Sequence, residues 1–203
     1  MAGLFHVRHK WCAPQRYTVR IYSHAPGTDM FQTTAKAAIS ANAATDKTTF
    51  YADLDKQLAG LLAGERDFIA NAANLSALIS LMLPDLNWAG FYLMRGNDLV
   101  LGPFQGKPAC VRITVYPQPR GVCGAAAFRQ QTQLVENVHD FPGHIACDSA
   151  SNSEIVVPLV ADGKVFGVLD IDSPLLNRFD LEDQAGIEQL ARTFVRMTDL
   201  PRI

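Results

Sequence analysis

Apolar residues recur at helical spacing in two neighbouring segments, both within residues 50–82. In the first segment, which Gly64 follows, the apolar positions are Phe50, Leu54, Leu58, Leu61 and Leu62. In the second, which ends before Pro84, they are Phe68, Ala72, Leu75, Ile79 and Met82. Residues three and four apart lie on one face of a helix. The pattern therefore predicts two amphipathic helices, with glycine and proline as their stop signals.

The periodicity changes from helical to strand-like at Asn87, and most of the chain that follows is predicted as short strands. The predicted strands are Trp88–Met94, Leu99–Leu101, Val111–Val115, Leu134–Val135, Ile155–Ala161 and Lys164–Ile171. Asp162-Gly163 joins the last two and is the strongest two-residue hairpin signal in the chain. A short helix is predicted over Val122–Gln130.

A last helix is predicted after Asp180, which has the features of an N-cap, with Asp183 three residues later. Its apolar stripe consists of Ile187, Leu190, Ala191, Phe194 and Val195. Helices at both ends of a series of antiparallel strands define an α+β fold with a central antiparallel β-sheet.

Composition and charge exclude several classes of protein. The 203 residues are 48% hydrophobic, which suits one globular domain with a sizeable core. A formal net charge of −2 provides no basic surface for nucleic acid. The longest apolar runs are far too short to span a bilayer. We therefore expect neither a nucleic-acid partner nor a membrane.

Residues 1–46 differ in composition from the domain predicted over 47–200. No acid occurs before Asp29, whereas four basic residues do: Arg8, Lys10, Arg16 and Arg20. An Ala/Ser/Thr-rich stretch follows. This composition is typical of an organelle transit peptide, and equally of a disordered leader. We expect a cytoplasmic protein, or a mitochondrial or other organellar one if the segment is a transit peptide.

The chain has four cysteines, at positions 12, 110, 123 and 147, without a CxxC pair or zinc-like spacing. They are too few for a secreted disulfide scaffold, so a reducing compartment and redox-active thiols are favoured. Cys147 lies in a polar loop, Ala146–Glu154, directly ahead of a predicted strand. A core cysteine would normally have apolar neighbours. The polar surroundings of Cys147 instead favour a reactive thiolate.

Four motifs resemble those of the free methionine-R-sulfoxide reductases, which are GAF-domain enzymes. The motifs are Gly143–Asp148 with Ser151–Glu154, Asn87–Tyr92, Leu101–Gly106 and Gly167–Asp172. The match covers the chain from about Thr48 to Val195. It implies a GAF architecture and reduction of free L-methionine (R)-S-oxide without a cofactor. It also implies recycling by thioredoxin or a related dithiol protein, and a homodimer.

The same resemblance assigns roles to the cysteines. Cys147 is then the nucleophile, Cys110 the thiol that resolves it, and Cys123 the third cysteine of the family. Thiolate attack on a sulfoxide leaves a sulfenic acid, which a second thiol converts to a disulfide. Cys123 begins the predicted short helix, and a helix N-terminus favours a thiolate. The sequence alone does not separate the roles of Cys110 and Cys123.

Asp170 and Asp172 alternate along a predicted strand and therefore point to one face, which Phe166 and Val168 are expected to share. Two carboxyl groups beside an apolar wall tend to keep a proton on one of them, which suits a proton donor. The alternative is a pair of solvated acids at a strand end. The resemblance assigns substrate contacts to both aspartates and to Glu154.

The predicted hairpin register raises a difficulty for Glu154. A two-residue turn at Asp162-Gly163 places Glu154 opposite Ile171, and therefore on the face away from Asp170. Either the strand contains a β-bulge, for which Pro158 is the obvious site, or Glu154 precedes regular pairing. We favour the bulge.

Trp88, Gly90 and Tyr92 share one face of a predicted strand, so that glycine leaves a notch between two aromatic side chains. The resemblance makes Trp88 and Tyr92 the walls of a substrate pocket, whereas burial statistics alone make them core residues. His139 and His144 flank the Cys147 loop, but neither a Cys–His couple nor a metal site is expected from their spacing.

The leading functional hypothesis is a cofactor-free reductase of free L-methionine (R)-S-oxide, with catalytic Cys147, Cys110, Cys123 and Asp172. A GAF sensory module that binds a small ligand without turnover is the alternative. Such modules usually belong to longer chains with an output domain, and a binder has no use for three matched cysteines. A thiol peroxidase or disulfide sensor would use the cysteines but not the aromatic pair.

Overall fold

The computed structural model describes residues 46–145 and 148–201. Cys147 and the predicted leader, apart from its last residue Asp46, lie outside these residues. The elements are, in chain order, α1 (Lys47–Leu61), α2 (Phe68–Met82), β1 (Trp88–Arg95), β2 (Asp98–Gly106), β3 (Arg112–Thr114), α3 (Gly121–Arg129), β4 (Gln133–Val135), a 3₁₀ turn (Val138–Asp140), β5 (Ser153–Ala161), β6 (Lys164–Ser173) and α4 (Leu181–Met197). All the predicted helices and strands are present, and β2 is longer than the predicted Leu99–Leu101.

Each of the three long helices begins at an aspartate that caps its first turn. Asp46 accepts a hydrogen bond from the Thr48 N–H, and Asp67 accepts one from the Ala70 N–H. At α4 the predicted N-cap is confirmed, because Asp180 and Asp183 form a reciprocal capping box.

Among the described residues, no helix is both long and apolar enough to cross a bilayer.

The six strands form one antiparallel sheet in the order β3-β2-β1-β6-β5-β4. One face packs against α1, α2 and α4 around a core that includes Phe91, Ile171 and Phe194. The other face packs against α3, with Tyr92 and Val168 in a second apolar cluster. The α+β prediction is confirmed, and the second face is the one on which the polar residues of the site collect.

A β-bulge in the β5–β6 hairpin decides which residues face α3. Val160 pairs with Val165, but the next pair is Leu159 with Gly167, so Phe166 is an extra residue on β6. The predicted bulge is therefore present, and it lies next to Leu159 and Val160 rather than at Pro158. The prediction that Phe166 shares the face of Asp170 is wrong, because the bulge turns Phe166 into the core beneath α1, α2 and α4.

Candidate active site

The bulge brings the three predicted carboxylates onto one face of the sheet. Glu154 on β5 lies directly opposite Asp172 on β6, and Asp170 lies opposite Val156. Directly opposed residues of antiparallel strands have neighbouring side chains. All three acids line one pocket between the sheet and α3, together with Trp88, Tyr92 and Cys123. Six of the eight predicted site residues thus meet in one place.

Cys123 lies in the first turn of α3 and its side chain is buried against the acids. Its Sγ is 3.8 Å from Oε1 of Glu154, and the polar atoms of Cys123, Glu154 and Asp170 all lie within 4.8 Å of one another. Gly124 allows this approach of α3, since a Cβ there would meet the carbonyl oxygen of Thr114 at 2.8 Å. The thiol is therefore part of the floor of the pocket.

Glu154, Asp170 and Asp172 have no lysine or arginine partner in the described part of the chain. Burial and then repulsion by Asp170 raise the pKa of Glu154 and of Asp172 well above the usual range. Burial also raises the pKa of Asp170, to about 6, although hydrogen bonds with Cys123 and Glu154 oppose the change. Asp170 is therefore the acid that loses its proton first.

One oxygen of this cluster has no hydrogen-bond partner among the described residues. Asp170 is 6% exposed, and its Oδ1 is buried without a donor from residues 46–145 or 148–201. A buried polar atom of this kind costs free energy unless a ligand or water satisfies it. The pocket floor is thus short of both positive charge and hydrogen-bond donors.

The expectation that the helix N-terminus makes Cys123 a reactive thiolate is wrong. Burial, followed by repulsion from Asp170 and Glu154, raises the pKa of the Cys123 thiol well above its usual range. The helix dipole favours a thiolate in the first turn, but the carboxyl groups at contact distance outweigh this effect. The Cys123 thiol is therefore protonated near neutral pH unless a cation enters the pocket.

The rings of Trp88 and Tyr92 form an aromatic wall of the pocket, and Phe104 extends the stack outside it. The Trp88 ring stacks on Tyr92 at 5.8 Å and on Phe104 at 5.3 Å between centroids. The predicted notch at Gly90 is not open, because Phe104 and the Trp88 indole fill it: a Cβ on Gly90 would meet the Cβ of Phe104 first and Cη2 of Trp88 at 2.8 Å. Glycine here permits the stacking, and the pocket lies beside the rings rather than between them.

Hydrogen bonds and one ion pair connect the loop after residue 147 to the rim of the pocket. Asp148 accepts hydrogen bonds from Nδ2 of Asn87 at 3.3 Å and from the Ala150 N–H at 3.0 Å. Lys107 Nζ lies 3.2 Å from its Oδ2, and Ser151 Oγ accepts from Asn87 at 2.9 Å. The Ala150 bond first, and then Lys107 and Asn87, lower the pKa of Asp148. No role was predicted for these residues, although Asn87, Asp148 and Ser151 lie in the motifs named above.

The two histidines beside the loop differ in their contacts. His139 Nε2 lies 2.9 Å from Oδ1 of Asn152, outside the pocket. His144 lines the pocket, with Nε2 4.0 Å from Oε2 of Glu154. Burial and then His139 lower the pKa of His144, so its imidazole is neutral near pH 7.

The cysteines are in different states. Cys123 is a free buried thiol, whereas Cys110 is disulfide-bonded. Cys110 packs against the apolar cluster beneath α3 without lining the pocket. Cys147, the predicted nucleophile, lies outside the described residues.

Comparison with known proteins agrees with this geometry. A family model described as "GAF domain" matches residues 74–197. The free methionine-R-sulfoxide reductase of Escherichia coli is 59% identical over 145 residues, which are 71% of this chain and 86% of that protein.

Two similar solved structures contain their substrate. The fRMsr of Staphylococcus aureus in complex with substrate is 48% identical with a TM-score of 0.68, covering 72% of this chain and 94% of that one. The free methionine-R-sulfoxide reductase of Neisseria meningitidis in complex with its substrate is 42% identical with a TM-score of 0.71, covering 77% and 93%.

The fold and the matched model make this chain a GAF-domain protein. Within that class, its identity and coverage place it in the family of the free methionine-R-sulfoxide reductases.

Proposed function

We propose that this protein reduces free L-methionine (R)-S-oxide to L-methionine. The observation that carries the proposal is the composition of the pocket floor: the buried carboxyl groups of Glu154 and Asp170 and the half-buried one of Asp172, with no lysine or arginine partner in the described residues, beside an aromatic wall. A free amino acid brings the missing cation, and its side chain brings a small apolar group. The relatives named above act on this class of substrate by name.

Asp170 is the acid suited to hold the substrate's ammonium group. It ionises most readily of the three, and its Oδ1 lacks a donor among the described residues. An ammonium group would supply both a charge and a hydrogen bond. Glu154, on the neighbouring strand, is close enough to share that contact.

Asp172 is the acid suited to deliver a proton to the sulfoxide oxygen. Its pKa is raised well above the usual range by burial and by repulsion from Asp170, which favours its protonated form. It is less buried than Asp170 and lines the pocket. A carboxylic acid that stays protonated can act as a general acid.

The chemical step needs two thiols. The Cys147 thiolate attacks the sulfoxide sulfur, and the oxygen passes to Cys147 as a sulfenic acid when methionine leaves. The Cys110 thiol then attacks the sulfenic sulfur, forming the Cys147–Cys110 disulfide and releasing the oxygen as water. The disulfide at Cys110 and the free thiol at Cys123 support this assignment of the resolving cysteine.

Thioredoxin or a related dithiol protein would return both cysteines to thiols by disulfide exchange. We further propose a homodimer, localised to the cytoplasm, or to an organelle if residues 1–46 are a transit peptide. Deleting residues 1–45, which keeps the Asp46 N-cap of α1, should leave activity and melting temperature close to those of the full chain. A large loss of stability would contradict a separate leader, and a fluorescent fusion with and without the segment would test the compartment.

The nucleophile is tested by single turnover in the absence of reductant. Cys147→Ser should form no methionine, because a hydroxyl group does not replace a thiolate. Cys110→Ser should form one equivalent and then stall. Substantial methionine from Cys147→Ser would overturn the assignment, and normal thioredoxin-dependent cycling by Cys110→Ser would make Cys123 the resolving thiol.

Substrate class is tested with the N-acetyl derivative of methionine sulfoxide. Acetylation removes the ammonium charge, and an unpaired buried carboxylate costs about 3–5 kcal/mol. We therefore expect kcat/KM for the free amino acid to exceed that for the derivative by roughly a thousandfold. Comparable rates would show that the acids do not recognise the amino group, and binding without methionine formation would indicate a sensory module instead.

A further inference from the structure

The pocket floor combines a thiol with carboxylates in the arrangement of a metal site. The ligand atoms of Cys123, Glu154 and Asp170 lie within 4.8 Å of one another, and all three residues are buried. Around a tetrahedral Zn²⁺, with bonds of about 2.0–2.3 Å, neighbouring ligand atoms are roughly 3.5 Å apart. The observed 3.8 Å between Sγ of Cys123 and Oε1 of Glu154 is already close to that spacing. Small side-chain rotations would complete the triad.

We propose that Cys123, Glu154 and Asp170 bind a thiophilic divalent cation, with Zn²⁺ as the prototype, and that the bound metal competes with the substrate's ammonium group. The binding site stands on the geometry of the three side chains. The inhibitory effect rests on the proposed function, because it requires the ammonium group to use the same acids.

A second observation points to a ligand at this place. Asp170 is only 6% exposed, and its Oδ1 is buried without a hydrogen-bond partner among the described residues. This oxygen is therefore available as a ligand for a cation. His144 faces the same floor, with Nε2 4.0 Å from Glu154 Oε2. A neutral imidazole or a water molecule would provide the fourth ligand.

The donor set selects the kind of metal. Mg²⁺ and Ca²⁺ prefer oxygen ligands and gain nothing from sulfur. Zn²⁺ and Co²⁺ accept thiolate, imidazole and carboxylate together. Binding would release the thiol proton of Cys123 to solvent, since the thiolate is the ligand. An ammonium group has only hydrogen bonds and charge to offer the same residues, so the metal is the stronger ligand for the thiol.

Direct binding is tested with Co²⁺, whose bond to a thiolate gives a near-ultraviolet charge-transfer band. The protein is the full chain with Cys12→Ser, Cys110→Ser and Cys147→Ser, which leaves Cys123 as its one cysteine. We expect one equivalent of Co²⁺ to produce the band and an excess of Zn²⁺ to abolish it. Absence of the band from this folded chain would overturn the proposal.

Two substitutions in this single-cysteine chain separate a built site from a lone thiol. Cys123→Ser should remove the band. Asp170→Asn, which is nearly isosteric, should weaken Co²⁺ binding by at least about 100-fold, since even an outer partner of a metal ligand contributes about 10–100-fold. The matched control is Asp162→Asn, at the β5–β6 turn, which should bind like the parent. Equal affinity in Asp170→Asn and the control, with native circular dichroism in both, would contradict the site.

Inhibition is tested on the pre-reduced wild-type chain in single turnovers without dithiol, because dithiols also bind Zn²⁺. Zn²⁺ should slow methionine formation, and rising concentrations of the free sulfoxide should restore the full rate. A rate that falls at all substrate concentrations would mean that Zn²⁺ acts at the redox cysteines, which overturns the competition. A chain that forms no methionine even without metal would instead contradict the proposed function, whatever the Co²⁺ band shows.

Discussion

Two clusters of acids in the described part of the chain, each around a buried aspartate, differ in what surrounds them. At the start of α4, Asp183 is 1% exposed and accepts hydrogen bonds from Lys47 at 2.7 Å and from the Tyr51 hydroxyl at 2.8 Å. Arg178 lies 3.4 Å from the same carboxylate. In the pocket, Asp170 is also buried, at 6% exposed, but no lysine or arginine of the described chain pairs with it.

The surroundings shift the pKa values of the acids in the two clusters in opposite directions. At α4, burial works against ionisation of Asp180, but Lys47 and backbone N–H groups outweigh it and lower its pKa to about 2. In the pocket, burial outweighs the hydrogen bonds with Cys123 and Glu154, and the pKa of Asp170 rises to about 6. A buried carboxylate with its cation joins α1 to α4, whereas one without a cation is a binding site for a positively charged ligand.

The largest effect should follow from removing the pocket charge. Asp170→Asn should lower kcat/KM for free methionine sulfoxide by roughly a thousandfold, because the ammonium group loses its carboxylate partner. Steady-state kinetics with a dithiol measure this. Asp180→Asn, which removes a charge from the α4 cluster, is the control and should keep wild-type kcat/KM. An Asp170→Asn value within tenfold of wild type would contradict the ammonium contact.

The next largest effect should be on stability. Asp183→Asn should lower the free energy of unfolding by about 3 kcal/mol, because it leaves Lys47 and Arg178 without a buried partner. Tyr51→Phe, which removes one hydrogen bond to Asp183, should cost about 1 kcal/mol. Urea denaturation measures both. A loss of kcat/KM in folded Asp183→Asn would show that the two clusters are not separate in function.

The clusters should also respond oppositely to pH. Because folding raises the pKa of Asp170 to about 6, the folded state keeps a proton that the unfolded state has lost. This contribution makes stability fall as pH rises from about 4 to 6. Asp180, with its pKa lowered to about 2, contributes stability that is present above about pH 4 and is lost as pH falls towards 2.

Unfolding of the two variants by urea across pH 2–7 tests these signs. Relative to wild type, Asp170→Asn should gain stability between about pH 4 and 6 and then level off. The deficit of Asp180→Asn should shrink as pH falls below about 4. If the free energy of unfolding of the two variants changed with pH in the same way, the clusters would not differ in their response to pH.

The smallest effect should come from the exposed end of the α4 cluster. Lys47→Met should lower the free energy of unfolding by no more than about 1 kcal/mol, since the Lys47 side chain is 36% exposed and its pairs are screened by solvent. Urea denaturation at low and high salt measures it, and the difference from wild type should decrease with salt. A loss as large as that of Asp183→Asn would show that Lys47 is the main partner of the buried acid.

The helices and the hairpin were predictable because their signals are local. Asp180 and Asp183 form the predicted capping box, and Asp162-Gly163 forms the predicted turn. The face of Asp170 and Asp172 also followed from strand alternation. Even the need for a bulge followed, because Glu154 and the aspartates otherwise point to opposite faces.

The position of the bulge and the state of Cys123 were decided by the tertiary structure. The bulge lies beside Leu159 and Val160, and places Phe166 in the helical core, through packing that no local pattern encodes. Cys123 is at a helix N-terminus in the sequence, but the acids that raise its pKa come from β5 and β6, more than 30 residues away. Residue types and spacing determined the fold and the participants of the site, whereas charge, protonation and burial depend on which strands meet α3, since electrostatic interactions act through space.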